Sequence, residues 1–123
     1  MSGVQKWVSV CTLDDLVADA GVCALIDGRQ VALFYLPEQQ RVYAIDNHDP
    51  MGRANVLSRG ILGSAGERLF VASPLYKERY CLATGACLDL DELVLDTWQT
   101  RIEGNRLLID PQPCNQLAVR AAV

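Results

Sequence analysis

Few side chains in this 123-residue sequence have the chemistry to bind a metal or move a proton. There are five cysteines, Cys11, Cys23, Cys81, Cys87 and Cys114, and a single histidine, His48. No two cysteines stand in a Cys-x-x-Cys spacing, so a zinc ribbon and a thioredoxin-type dithiol are both excluded. One imidazole is too few for any centre that needs two. His48 could serve as a metal ligand or an acid–base group, but a lone histidine in a polar loop is more often neither. Cys81 and Cys87 are symmetric about Thr84, so a tight hairpin would set them opposite each other, within disulfide reach. In a reducing compartment the expectation is two reduced structural thiols.

The elements that must position these residues read as strands. Lys6–Val10 alternates and carries Trp7. Thr12-Leu-Asp-Asp15 resembles a capping box and predicts a short helix over Leu13–Ala18, ended by Gly21. Val22–Leu36 is two apolar runs flanking Asp27-Gly28, a strong type I′ hairpin signal. The implied register pairs Ile26 with Arg29, Leu25 with Gln30 and Ala24 with Val31. Both runs are apolar on both faces, which predicts a central hairpin. Further strands are expected at Arg41–Asp46, Arg68–Ala72, Tyr76–Leu82, Ala86–Leu88, Leu95–Ile102 and Arg106–Ile109. Residues 47–66 read as one long irregular excursion, and loops of that length are usually functional or remnants of function. The expected fold is all-β, an antiparallel sandwich or barrel. The expected domain covers residues 1–110, followed by a tail over 111–123 that is either a docking arm or a frayed end.

Composition narrows the partners. The formal net charge is −4, which argues against nucleic acid and anionic membrane. No apolar run approaches the roughly 20 residues that span a bilayer. The N-terminus lacks a signal-peptide layout, and a cytoplasmic location is the resulting expectation. Asp89, Asp91, Glu92 and Asp96 form an acidic run, read as a solvated face or a steering patch for a basic partner.

Ser73-Pro74-Leu75-Tyr76-Lys77, followed by Arg79-Tyr80-Cys81-Leu82 and the Thr84-Gly85 turn, resembles the second ligand loop of a Rieske protein. That loop reads Cys-Pro-x-His-Gly in the family. Val42–Asn47 with Leu57-Ser58-Arg59-Gly60 resembles the strand into the first ligand loop and its exit. The resemblance implies a Rieske-like β-sandwich of about three small sheets. It does not bring the ligands with it. Ser73 stands where cysteine belongs and Tyr76 where histidine belongs, and His48-Asp49-Pro50-Met51 replaces Cys-x-His in a register that the sequence leaves open. A [2Fe–2S] cluster of this type needs two thiolates and two imidazoles, so no cluster is expected and no metal site is implied.

Asp46-Asn47-His48-Asp49-Pro50, Asn55–Gly60 and Ser73–Lys77 together resemble the small subunit of bacterial NAD(P)H-dependent nitrite reductase, a Rieske-like domain without the cluster. The resemblance implies a large-subunit partner carrying FAD, an iron–sulfur cluster and sirohaem, reducing nitrite to ammonium. It implies no catalytic residue, cofactor or metal on this chain. The expected partner-contact tip comprises His48, Met51, Leu75, Tyr76 and Lys77. Ser73 and Tyr76 would either hydrogen-bond to each other or face outward. Two other readings stand beside this one: a freestanding β-sandwich binding module, and a Rieske-type ferredoxin, which the missing ligands disfavour.

Overall fold

The computed structural model describes residues 7–114. Lys6 and residues 115–123 of the expected tail lie outside the described residues. Twelve strands build four antiparallel sheets, one more than the resemblance implied. The strands are β1 (Val8–Thr12), β2 (Gly21–Ile26), β3 (Arg29–Leu36), β4 (Arg41–Asp46), β5 (His48–Asp49) and β6 (Ala54–Asn55). They continue as β7 (Ile61–Ala65), β8 (Arg68–Ala72), β9 (Arg79–Cys81), β10 (Thr97–Trp98), β11 (Thr100–Glu103) and β12 (Arg106–Ile109). A four-stranded sheet runs β10-β4-β3-β2. Two three-stranded sheets run β1-β12-β11 and β7-β8-β9, and β5 pairs with β6 alone.

The four-stranded sheet is the middle layer, which explains why its sequence is apolar on both faces. Side chains alternate along a strand, and the core divides accordingly. Ala32, Phe34, Tyr43 and Ile45 pack with Leu57, Val71, Tyr80 and Leu82 on one side. Val31, Leu33, Val42 and Ala44 pack with Trp98, Leu107 and Ile109 on the other. Asp27 and Gly28 both have positive φ (49° and 81°). The hairpin register is the expected one, with Ile26 opposite Arg29 and Ala24 opposite Val31. Of the two hairpin strands only β3 is central, however. β2 is the sheet edge and leaves Leu25 exposed.

Four local expectations are corrected. The helix over Leu13–Ala18 is a single 3-10 turn, Leu13–Asp15. Asp15 does accept the backbone N–H of Thr12 at 3.0 Å, but Leu16 is already extended and Ala18 bridges to Tyr35. The excursion over 47–66 contains β5, β6, a 3-10 turn at Leu57–Arg59 and all of β7, which pairs with β8 through the Gly66 turn. The strand expected over Tyr76–Leu82 shortens to β9, because Tyr76 and Lys77 sit in a turn closed by Lys77 N–H donating to the Ser73 carbonyl at 3.0 Å. Its expected partner over Ala86–Leu88 makes only isolated bridges. The run Leu95–Ile102 splits. β10 pairs with β4 while β11 pairs with β12, so the chain changes sheets at Gln99.

Candidate functional site

Two turns meet at one end of the sandwich. The first follows β4 and comprises β5, β6 and the residues between them. The second joins β8 to β9. Asn47 anchors the first. It is buried, its amide donates to Gln30 Oε1 at 3.0 Å, and its side-chain oxygen accepts the Ser58 N–H at 2.7 Å. Entry and exit of the excursion are therefore tied to the β2–β3 hairpin by one side chain. His48 lies on the outside, exposed, with Nδ1 3.1 Å from Asn55 Oδ1.

Asp49 points inward and is fully buried. One of its oxygens accepts the Met51 N–H at 2.9 Å. The other accepts the hydroxyl of Ser73, also buried. Ser73 Oγ in turn accepts the Leu75 N–H at 3.2 Å. If Ser73 aligns with the cysteine of the second loop, as the resemblance implies, the residue facing it, Asp49, aligns with the cysteine of the first loop, and Met51, two residues on, with its histidine. Ser73 therefore pairs with Asp49, not with Tyr76, which turns outward with 67% of its surface exposed. Met51 and Leu75 are each 47% exposed. The two tips touch at Gly52, where a methyl group would overlap Leu75 Cδ1. Lys77, next to Tyr76, is exposed and has φ of 64°.

On that alignment the four ligand positions would fall on Asp49, Met51, Ser73 and Tyr76. A carboxylate and a hydroxyl, already bonded to each other, are hard donors in place of two thiolates. Neither remaining residue offers an imidazole nitrogen. This donor set does not fit a [2Fe–2S] cluster. Ser73 bonds directly to Asp49, with no imidazole between them to take the serine proton.

Directly beneath the tips is a layer that sequence reasoning missed. Glu78 and Tyr80 are buried, and neither the Glu78 carboxylate oxygens nor the Tyr80 hydroxyl has a hydrogen-bond partner. Burial pushes the Tyr80 phenol up, and the charges of Glu78 and Asp49 push it further. The signal available in the sequence was the Glu-x-Tyr spacing, which puts both side chains on one face of an extended segment.

Cys81 and Cys87 do not oppose each other. Tyr80 is the residue bridged to Cys87, and Cys81 N–H donates to the Ala86 carbonyl at 2.8 Å. The register is one residue off the symmetric hairpin, so the two thiols leave opposite faces; all five cysteines are free. Burial raises the Cys81 thiol, but hydrogen bonds from Thr84 and Ala83 and the charge of Arg68 more than offset it. In the acidic run, Asp89 accepts from Arg79 at 2.8 Å, and that bond holds its carboxyl below the usual range. A groove of about 550 Å³ runs along Trp7, Arg41, Tyr43, Trp98 and Arg101. It contains no histidine or acid and no residue of the two tips. Among the described residues, no three of His, Cys, Asp and Glu gather as a metal site, and no helix is long and apolar enough to cross a membrane.

Comparison with known proteins agrees with this geometry. Residues 6–110 match the family described as Rieske-like [2Fe-2S] domain. The nitrite reductase (NADH) small subunit of Salmonella typhimurium is 38% identical over 100 residues, covering 81% of this chain and 93% of that one. The solution structure of NirD from E. coli superposes with a TM-score of 0.78 at 34% identity, covering 86% of this chain and 96% of that one. A third relative is the nitrite reductase [NAD(P)H] large subunit of Klebsiella oxytoca, 42% identical over 117 residues. That match takes in 95% of this chain but spans only 12% of the relative. With a Rieske-like sandwich over residues 6–110 and 38% identity across 81% of its length, the chain belongs to the nitrite reductase small-subunit family.

Proposed function

We propose that this chain is the non-catalytic small subunit of an assimilatory NAD(P)H nitrite reductase, bound to a large subunit that reduces nitrite to ammonium. The observation that carries the reading is the Klebsiella match. There, a stretch resembling almost all of this chain forms part of the large-subunit polypeptide. A domain fused in one organism and separate in another is the arrangement of two parts that work in contact, since fusion only raises their effective concentration. The large subunit carries the FAD, iron–sulfur cluster and sirohaem of the reaction, and the complex is cytoplasmic.

The contact surface is the tip where the two turns meet. Met51, Leu75 and Tyr76 present apolar and aromatic area there, flanked by His48 and Lys77. Aromatic and apolar anchors with a polar rim are the composition of interface hot spots. In this role the degenerate ligand loops keep their shape through the Asp49–Ser73 bond and act as a protein surface. Leu75→Asp is expected to abolish co-elution with the large chain. Ile61→Asp, on the exposed strand β7, is expected to leave it intact. The reverse pattern would place the contact on the β7 sheet edge and sink the assignment to the tip.

A further inference from the structure

The unpartnered layer beneath the tips has a geometry of its own. β8 and β9 pair Val71 with Tyr80 and Ala72 with Arg79. The register continues one step past the strands, because Ser73 N–H donates to the Glu78 carbonyl at 2.9 Å. Ser73 therefore faces Glu78, and alternation places Val71, Ser73, Glu78 and Tyr80 on one face of the sheet. Residues facing each other across such a ladder have Cβ atoms about 4.5–5.5 Å apart. Asp49 closes the group from the other loop through its bond to Ser73. Two carboxylates and two hydroxyls are thus gathered in one neighbourhood, each residue at most 5% exposed, and the charges of Glu78 and Asp49 both act on the Tyr80 phenol.

Charge makes this arrangement unstable on its own. Glu78 has no hydrogen-bond donor on either oxygen, and the Tyr80 hydroxyl has no partner. A buried carboxylate without a partner is strongly disfavoured, and a second carboxylate nearby worsens it. The cationic side chains on either side of Glu78 in sequence are directed elsewhere: Arg79, on the opposite face, is engaged by Asp89, and Lys77 is exposed. A bridging water would satisfy the hydrogen bonds and leave the charge. A divalent cation does both. The donors are all oxygen, which selects a hard ion. Ca²⁺ accepts irregular oxygen sets, whereas Mg²⁺ demands near-ideal octahedra and keeps its waters.

We propose that Asp49, Ser73, Glu78 and Tyr80 form a site for one hard divalent cation of the calcium type, which ties the two loops together beneath the tip. The ion bridges the loops at their ligand positions with different chemistry from an iron–sulfur centre. The inference is independent of the partner assignment, since the isolated chain carries every donor.

The test uses the full chain after dialysis against a chelator, with Tb³⁺ as the probe. Tyr80 as a ligand sensitises terbium emission, so saturable emission from a single equivalent is expected, with Ca²⁺ competing. Glu78→Gln is expected to weaken binding by at least about tenfold. Asp91→Asn, in the exposed acidic run, is expected to leave it unchanged. No sensitised emission, or emission retained in Glu78→Gln, overturns the proposal. So does emission lost in Asp91→Asn, which places the ion on the outer acidic run. Should Glu78→Gln fail to fold, the melting temperature of the unaltered chain decides: a rise with Ca²⁺ that is absent in Tyr80→Phe supports the site, and a Ca²⁺-independent melt refutes it.

Discussion

Ser73→Ala tests the joint on which the tip depends. Ser73 Oγ donates to the buried carboxylate of Asp49 and accepts from Leu75 N–H. Removing it leaves Asp49 with the Met51 N–H alone among the protein hydrogen bonds of this turn. A hydrogen bond to a charged group contributes roughly 1.5–3 kcal/mol, and the partner left behind carries its desolvation cost. A loss of about 2 kcal/mol is therefore expected. With a urea m-value of about 1.5 kcal/mol/M, typical of a small domain, the midpoint should fall by about 1–1.5 M with m unchanged. The assay is equilibrium urea unfolding followed by tryptophan fluorescence, with Tyr76→Phe as the companion. Tyr76 is exposed, so its hydroxyl should be worth less than about 0.5 kcal/mol. A Tyr76→Phe as destabilising as Ser73→Ala would mean that Ser73 pairs with Tyr76, and a neutral Ser73→Ala would mean that the Ser73–Asp49 bond does not hold the tip.

Two glycines should separate stability from binding. A methyl group at Gly60 meets the Ala72 carbonyl and Val71 Cγ2, each at 2.5 Å, so Gly60→Ala should cost about 2 kcal/mol or more in urea unfolding. At Gly52 the obstacle is the movable end of Leu75, so Gly52→Ala should cost less than about 1 kcal/mol yet weaken capture of the large chain by displacing Leu75. Equal losses of stability from both would contradict this. Mild oxidation with diamide should produce no Cys81–Cys87 disulfide, because the two thiols leave opposite faces; a peptide map showing that cross-link would overturn the β9 register. In an NMR pH titration Asp89 should titrate below the ordinary carboxylate range and return to it in Arg79→Gln. Since its folded pKa is depressed, the pair's contribution is present above the unfolded carboxylate pKa and is lost as pH falls through the folded one. An unshifted Asp89 would show that the ion pair is not formed in solution.

How much of this was legible in the residues depends on how local the signal is. The Asp27-Gly28 hairpin was legible to the single pair, because a turn that needs two positive φ values fixes the register of both flanking strands. The two-sided burial of the middle sheet was legible in its unbroken apolar runs, though not which strand would be its edge. β7 escaped because Ile61–Ala65 holds a glycine and two small residues, and pairing with β8 outweighs that weak propensity. Leu95–Ile102 looked continuous because alternation survives the change of sheet at Gln99. That Ser73 and Tyr76 stand where cysteine and histidine would be expected came from the resemblance to the Rieske loop. Asp49 was not legible there, since its role arises only when two turns 24 residues apart in sequence close on each other. Glu78 does not stand out in the sequence for the same reason: only the β8–β9 register turns it inward.

If this chain serves the reaction as a partner and not as a redox centre, nitrite-dependent NAD(P)H oxidation by the purified large subunit depends on it. With the chain present, absent, or carrying Leu75→Asp, full turnover is expected only with the unaltered chain, without any iron-dependent visible absorption from that chain. Equal turnover in all three mixtures, or a Rieske-type spectrum in the isolated chain, would contradict it.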